Sequence, residues 1–348
     1  MAILKGVGDF FGLDIGTTAV RVVQLSPTGP NSWALRHYGY APIDAQTAAA
    51  DSPEARHRLG EVIMTVVGQS GIKTKNVAIG LPSNKTFITV VDMPTLSEAE
   101  FKGTIKYQID QYIPMSIEDA KVDWSVLGRS LHDPSQQEVL LASTATSYAE
   151  ERLELVENLG FEVIAAEPDP IAMIRSVLHP GAKDAQIIID IGEQGINVAI
   201  TYGDMPRLVR TIPNGLETLV HAAVQNLNIK EDQARQFILK FGLAPDKLEG
   251  QIVRALESTL DGFVSELTKS IKFFQARYPA LAIGNVLLVG YASTIPQIDS
   301  YLANKIGIQT MAANPWQKVS EALRDPQLAT VGSEFAVAIG LAERENKA

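Results

Sequence analysis

The chain has 348 residues, 46% of them hydrophobic and 20% charged, a globular balance that excludes a disordered protein and leaves room for two domains. Its net charge of −10 repels phosphate backbones and anionic lipid, so no nucleic-acid partner is expected. Cysteine is absent, which removes disulfides, thiolate metal sites and cysteine nucleophiles and fits a reducing compartment.

Taken in chain order, Phe10 to Val23 reads as strand, tight turn, strand, with Asp14-Ile15-Gly16 at the turn. A further strand is expected near Trp33 to Tyr40. A helix follows from about Pro53 to Ser70, with apolar Leu59, Val62, Ile63, Val66 and Val67 at helical spacing and a stop at Gly71. Val77 to Leu81 and Phe87 to Val91 are β-rich, and Asp92, just before Met93-Pro94, reads as a turn residue. Ser97-Glu98-Ala99-Glu100 has the form of a capping box opening a helix that ends before Pro114. Strands are expected at Val122 to Leu127, Glu138 to Ser143 and Glu162 to Ala165, with a helix from Ser147 to Gly160 between the last two.

The second half starts again with a hairpin pattern, Ala185 to Val198, followed by a strand at Arg207 to Ile212. A helical region runs from Leu216 to Tyr278. Its last helix carries Ile252, Leu256, Leu260, Phe263, Leu267, Ile271 and Phe274 on one stripe, which is core packing. Val286 to Val289 leads into Gly290-Tyr291-Ala292-Ser293, then a helix from Pro296 and a closing helix at Phe335 to Leu341. No segment approaches the roughly 20 apolar residues that span a bilayer. Gly6, Gly8 and Asp9 interrupt the N-terminal stretch, so neither membrane insertion nor a signal peptide is expected, and the cytoplasm is the default location.

The two hairpins echo each other. Asp14, Ile15 and Gly16 match Asp190, Ile191 and Gly192, and Val20 and Val22 fall in register with Ile196 and Val198. Turn N–H groups of this kind cradle phosphate oxygens, and an Asp at the end of each strand holds water on Mg²⁺. Ordinary hairpins carry D-x-G turns too; the matched pair, one per half, is what favours a nucleotide site.

These residues resemble the PilM family of type IV pilus assembly proteins, actin-like relatives of the cell-division protein FtsA. The likeness runs through Phe11 to Arg21 (the family's F-G-L-D-I-G-x-x-x-V-K), Ile79 to Glu100, Gln111 to Asp123, Ala166-Glu167-Pro168 to Arg175, Asp190 to Gly215 and Phe335 to Arg344. It implies an actin/Hsp70-like (ribonuclease H-like) two-lobed α/β fold with the FtsA-type inserted subdomain. The expected layout is a first-lobe core of 1–76, 164–184 and 325–348, an insertion at 77–163, a second-lobe core of 185–215 and 281–324, and a helical subdomain at 216–280.

The resemblance further implies ATP and Mg²⁺ as cofactors, held in the cleft between the lobes. Phosphate contacts fall to Asp14, Gly16, Thr17 and Thr18 in the first loop and to Asp190, Gly192, Gly195 and Asn197 in the second, with Gly215, Gly290 and Ser293 completing the nucleotide site. Mg²⁺ sits near Asp14 and Asp190, and Glu167 orients water as the one catalytic candidate. The implied partners are the N-terminal cytoplasmic tail of PilN, the pilus ATPases and the platform protein, at the inner face of the inner membrane, with homo-oligomers allowed. Several positions depart from the family: Tyr291 stands at a usual glycine, Asn197 at a usual Thr or Ser, Asn214 in the usual Gly pair, and Arg235 and Ile238 replace both charges of A-E-x-x-K. Phosphate contacts are therefore expected to be better kept than adenosine contacts, with slow hydrolysis at most.

Rival chemistries fit less well. Gly6-x-Gly8-x-x-x-Gly12 precedes a strand instead of following one, unlike a dinucleotide fingerprint. The five histidines lie far apart in sequence without a ligand pair, and Trp33, Trp124 and Trp316 read as core. A sugar-type kinase of the same fold needs a general-base Asp in the first lobe, and none stands in such a setting. An FtsA-like filament former needs a membrane-targeting tail that the polar C-terminus does not resemble.

Overall fold

In the computed structural model, which describes residues 4–5, 8–96, 100, 103, 109–179, 181–320, 328, 331–344 and 346–347, the chain divides into two units. One is Met1–Ser176 with Pro315–Thr330 and Phe335–Ala348; the other is Val177–Asn314 with Val331–Glu334.

The first unit is built on a five-stranded sheet whose middle strand, Phe10–Ile15, is buried along its whole length. The spatial order is Ser32–Pro42, Ala19–Gly29, Phe10–Ile15, Asn76–Leu81, Glu162–Pro168; the first three are antiparallel and the last two join in parallel. Phe11, Leu13, Val20, Val22 and Ile79 pack with Leu59, Ile63, Val66 and Val67 of helix Pro53–Ser70. That helix begins where Ser52 Oγ accepts from the Ala55 N–H and ends at Gly71 with φ 79°, the left-handed stop the sequence calls for. Val23 and Leu25, with the opposite parity, pack instead with Trp316, Val319 and Phe335 beside helix Ala336–Ala342.

Helix Ala336–Ala342 crosses helix Asp169–Val177 so closely that a Cβ on Gly340 would lie 1.8 Å from the Ala172 carbonyl oxygen. Within the same unit, Thr86–Pro94, Gln136–Ala145 and Ala120–Arg129 form a separate antiparallel sheet with its own small core of Val91, Met93, Ile113, Val139 and Leu141. The expected capping box at Ser97 to Glu100 falls on a stretch of which Ser97, Glu98 and Ala99 lie outside the described residues.

The second unit repeats the first sheet's plan. Met205–Ile212, Ile196–Tyr202, Ala185–Ile191, Ile283–Gly290 and Thr310–Ala312 follow one another in space, again three antiparallel then two parallel. Helices Leu216–Leu227, Glu231–Phe241 and Gln251–Arg277 supply the rest of one large core, and all seven stripe residues of the last helix are buried in it. Among the described residues no helix is long and apolar enough to cross a membrane.

Several boundaries differ from the sequence reading. Asn76–Leu81 pairs with Phe10–Ile15, so the insertion opens after Leu81 and not at residue 77. Val156 of helix Thr146–Asn158 packs in the first sheet's core, which removes that helix from the insertion. Trp316 and Val319 belong to the first unit, where Trp33 N–H donates to the Lys318 carbonyl at 2.9 Å, while residues 177–184 go with the second. Asp92 is no turn residue: it lies within strand Thr86–Pro94, opposite Glu138, because the ladder continues to Pro94.

The helix crossing is tested by two glycines. Gly340→Ala is expected to lower unfolding stability by about 3 kcal/mol, the upper range for an overpacked core. Gly262→Ala, whose new Cβ meets nothing within 4 Å in helix Gln251–Arg277, is expected to raise it by about 0.5–1 kcal/mol through helix propensity. Urea unfolding of both variants measures the contrast.

Candidate functional site

The first hairpin closes through the Gly16 N–H, which donates to the Ala19 carbonyl at 3.0 Å, leaving Gly16, Thr17 and Thr18 half-buried at the tip. Its register sets Asp14 directly opposite Arg21. Asp14 is buried, and Arg21 Nη1 lies 3.5 Å from its Oδ2. The same guanidinium stands 5.6 Å from the centre of the Tyr40 ring.

The second hairpin closes the same way, with Gly192 N–H donating to the Gly195 carbonyl at 2.8 Å. Asp190 then faces Asn197, whose Nδ2 donates to Asp190 Oδ2 at 3.2 Å. Thr211 Oγ1 in turn donates to Asn197 Oδ1 at 3.1 Å, which orients the amide. Two glycines press on this turn. A Cβ on Gly215 would sit 2.2 Å from the Glu193 carbonyl oxygen, and Gly290, at φ 59°, leaves only 2.3 Å between an added Cβ and Asp190 Oδ1. The turn is also bonded to helix Leu216–Leu227, since Leu216 N–H donates to Gly192 O and Glu217 N–H to Glu193 O, both at 3.0 Å. Ser293 Oγ donates to the Gly290 carbonyl at 2.8 Å.

The expected site residues thus assemble as two sets. Asp14, Gly16, Thr17 and Thr18 gather in the first unit; Asp190, Gly192, Gly195, Asn197, Gly215, Gly290 and Ser293 gather in the second. Two charged residues of these sets were not singled out from the sequence. Arg21 is signalled by its seven-residue offset from Asp14, the same offset that joins Asp190 to Asn197. Glu193, in the second turn, meets the guanidinium of Arg235 with Nη2–Oε1 at 2.5 Å and Nη1–Oε2 at 3.1 Å, and that bond raises the Arg235 pKa further. No local spacing links residues 42 apart.

One departure finds its reason and one expectation changes. Ile238 is fully buried in the second unit's core, so its side chain is unavailable to a ligand. Glu167 is buried too, but both of its oxygens are engaged: Arg175 bonds it through two nitrogens at 2.6 and 2.8 Å, and Arg344 Nη1 bonds its Oε2. Burial alone would raise its pKa, yet Arg175 and Arg344 outweigh that and hold the carboxyl below its ordinary range. A carboxylate so tied is a poor base for water. Its role is to join strand Glu162–Pro168, helix Asp169–Val177 and the C-terminal segment of one unit. Elsewhere in that unit, ligand atoms of Asp92, His132 and Glu138 lie within 4.8 Å of one another, so His132 is less isolated than its sequence position indicates.

Comparison with known proteins bears on the family and the fold. A family model described as "Type IV pilus assembly protein PilM" matches residues 12–346. Cell division protein FtsA of Enterococcus hirae is 21% identical over 97% of this chain and 84% of its own length. A solved PilM-PilN type IV pilus biogenesis complex superposes with a TM-score of 0.82 at 22% identity, covering 98% of this chain and 99% of that one. MreB5 of Spiroplasma citri bound to AMPPNP superposes at 0.52, with 13% identity over 95% and 94% of the two chains. The fold is therefore the actin-like α/β fold that the sequence implies.

The buried ion network carries a pH dependence of its own. Burial pushes Glu343 up to about 7, although Lys318 Nζ lies 2.6 Å from its Oε2. An unfolded glutamate releases its proton near pH 4.5, so between that pH and 7 the folded state binds the extra proton and loses stability as pH rises. The loss is on the order of 3 kcal/mol across the window. Glu343→Gln removes the titration, so the variant is expected to gain on the parent chain from pH 5 to pH 7.5 in urea unfolding.

Proposed function

The chain belongs to the PilM family of type IV pilus assembly proteins, and on that premise we propose that it is a nucleotide-binding scaffold of the pilus inner-membrane assembly complex. The observation that carries the nucleotide reading is the duplicated hairpin: each copy sets a carboxylate beside a glycine turn in the same register.

In this reading the turn N–H groups that follow Gly16 and Gly192, at Thr17 and Thr18 and at Glu193 to Gly195, cradle phosphate oxygens of ATP, and Gly215, Gly290 and Ser293 shape the wall beside Asp190. The carboxylates of Asp14 and Asp190, hard oxygen donors, suit Mg²⁺, which supplies charge neutralisation at the phosphates. Asp190 is the stronger candidate of the two. It bonds a neutral amide, Asn197, whereas Asp14 faces the Arg21 guanidinium, which competes with a cation.

The output of such a scaffold is a partner surface. The partner proposed is the N-terminal cytoplasmic tail of PilN, supported by family membership and by the shared fold with the PilM of the solved complex. Through PilN the chain would lie at the inner face of the inner membrane, in reach of the pilus ATPases and the platform protein, with self-association as a further mode.

Calorimetry with the full chain tests both halves. ATP·Mg²⁺ is expected to bind, with Asp190→Ala weakening it by about tenfold or more, the loss expected for one charge-assisted contact. A peptide of the PilN tail is expected to bind the Asp190→Ala variant as it binds the parent. Absence of peptide binding, or sugar-stimulated ATP consumption, would overturn the scaffold reading; ATP affinity indifferent to Asp190 would overturn the site.

A further inference from the structure

We infer that Arg235 is a reserve ligand for the phosphate chain of the bound nucleotide, masked by Glu193 until phosphate competes for it. The inference rests on the nucleotide reading of the second hairpin and adds to it a residue that the sequence assigns to lost adenosine contacts.

Glu193 belongs to the turn whose N–H groups are the proposed phosphate cradle, so this turn carries an anion where an anion is to bind. Arg235, from helix Glu231–Phe241, cancels that charge with a two-nitrogen grip on the carboxylate. A guanidinium fork fits two phosphate oxygens as well as it fits two carboxylate oxygens. The pair is also accessible, with side-chain exposures of 31% for Arg235 and 11% for Glu193, so an arriving ligand can reach it. Exchange need not disturb the turn. The Glu193 backbone is held independently by the Glu217 N–H and by close contact with Gly215. Glu193 stands three residues after Asp190 in the same hairpin, so the bond to it places Arg235 on the Asp190 side of the unit.

Removing either partner of a purely structural ion pair harms the same thing, so both single variants would shift binding in the same direction. A masked ligand gives opposite signs. Glu193→Gln releases Arg235 and is expected to tighten ATP·Mg²⁺ about tenfold in calorimetry with the full chain; Arg235→Ala is expected to weaken it about tenfold. The gain from Glu193→Gln also has to vanish in the Glu193→Gln/Arg235→Ala double variant. If it persists there, loss of a repelling charge explains it and the assignment falls. Tripolyphosphate, which lacks adenosine, is expected to give the same ranking; a ranking seen with ATP alone would move Arg235 to the nucleoside and overturn the phosphate assignment. Should Glu193→Gln fail to fold, Glu193→Asp shortens the reach to Arg235 and is expected to tighten binding in the same direction; unchanged or weaker binding overturns the assignment. ATP bound by the parent chain but no tighter by the released variant sinks this inference alone, whereas no ATP bound by any variant sinks the nucleotide reading with it.

Discussion

A single hydrogen bond governs the chemistry at each end of the duplicated sheet. In both hairpins a glycine N–H reaches the carbonyl three residues on, Gly16 to Ala19 and Gly192 to Gly195. That closure leaves no freedom in the register: the acid two residues before the glycine must face the residue seven positions after it. What stands at that opposing position sets the immediate partner of each acid. Shifting either strand by one residue would turn Asp14 or Asp190 to the other face of the sheet and bury an apolar neighbour's place with charge.

The parts of the structure that were legible in the sequence are those governed by short-range periodicity. The strands of both hairpins, the stop at Gly71 and the stripe from Ile252 to Phe274 each depend on neighbours within a few residues, and each stands where its pattern indicates. What escaped depends on contacts between distant segments. Trp316 gives no local sign that it packs beside Val23 and Leu25, and Glu193 gives none that it meets Arg235. Asp92 misled for a different reason. Met93-Pro94 looks like punctuation, but a proline is tolerated as the last residue of an edge strand, so the ladder runs on to it.

Glu167 shows how a family position changes meaning once its surroundings are known. The short helix Ala336–Ala342 has only 7 residues, too few to be stable by its own hydrogen bonds. It is held by Gly340 against Ala172 and by ions clustered at its end: Arg175 Nη1 donates to the Gly340 carbonyl, Lys318 pairs with Glu343, and Arg344 reaches Glu167. Buried ions arranged this way cost desolvation energy and are tolerable only because nearly every lone pair is used. Glu343 Oε1, which finds no donor among the described residues, is the weak member, and burial raises this carboxyl's pKa. The network trades stability for a unique attachment of the C-terminal segment to the first sheet.

The two halves share a strand order but not an electrostatic setting, and this asymmetry bears on how a duplicated fold handles one ligand. A carboxylate opposite a guanidinium is already compensated; it adds shape and a nearby cation more than free negative charge. A carboxylate opposite a primary amide gains an oriented donor, with Thr211 fixing which end of the amide faces it. In the proposed reading the first turn offers a compensated ion pair and the second a carboxylate with an oriented amide. The second turn also carries an anion of its own, Glu193, and among the described residues the guanidinium bonded to it comes from helix Glu231–Phe241 of the same unit. The two turns keep one closure and one sheet order while differing in the residues that face their acids.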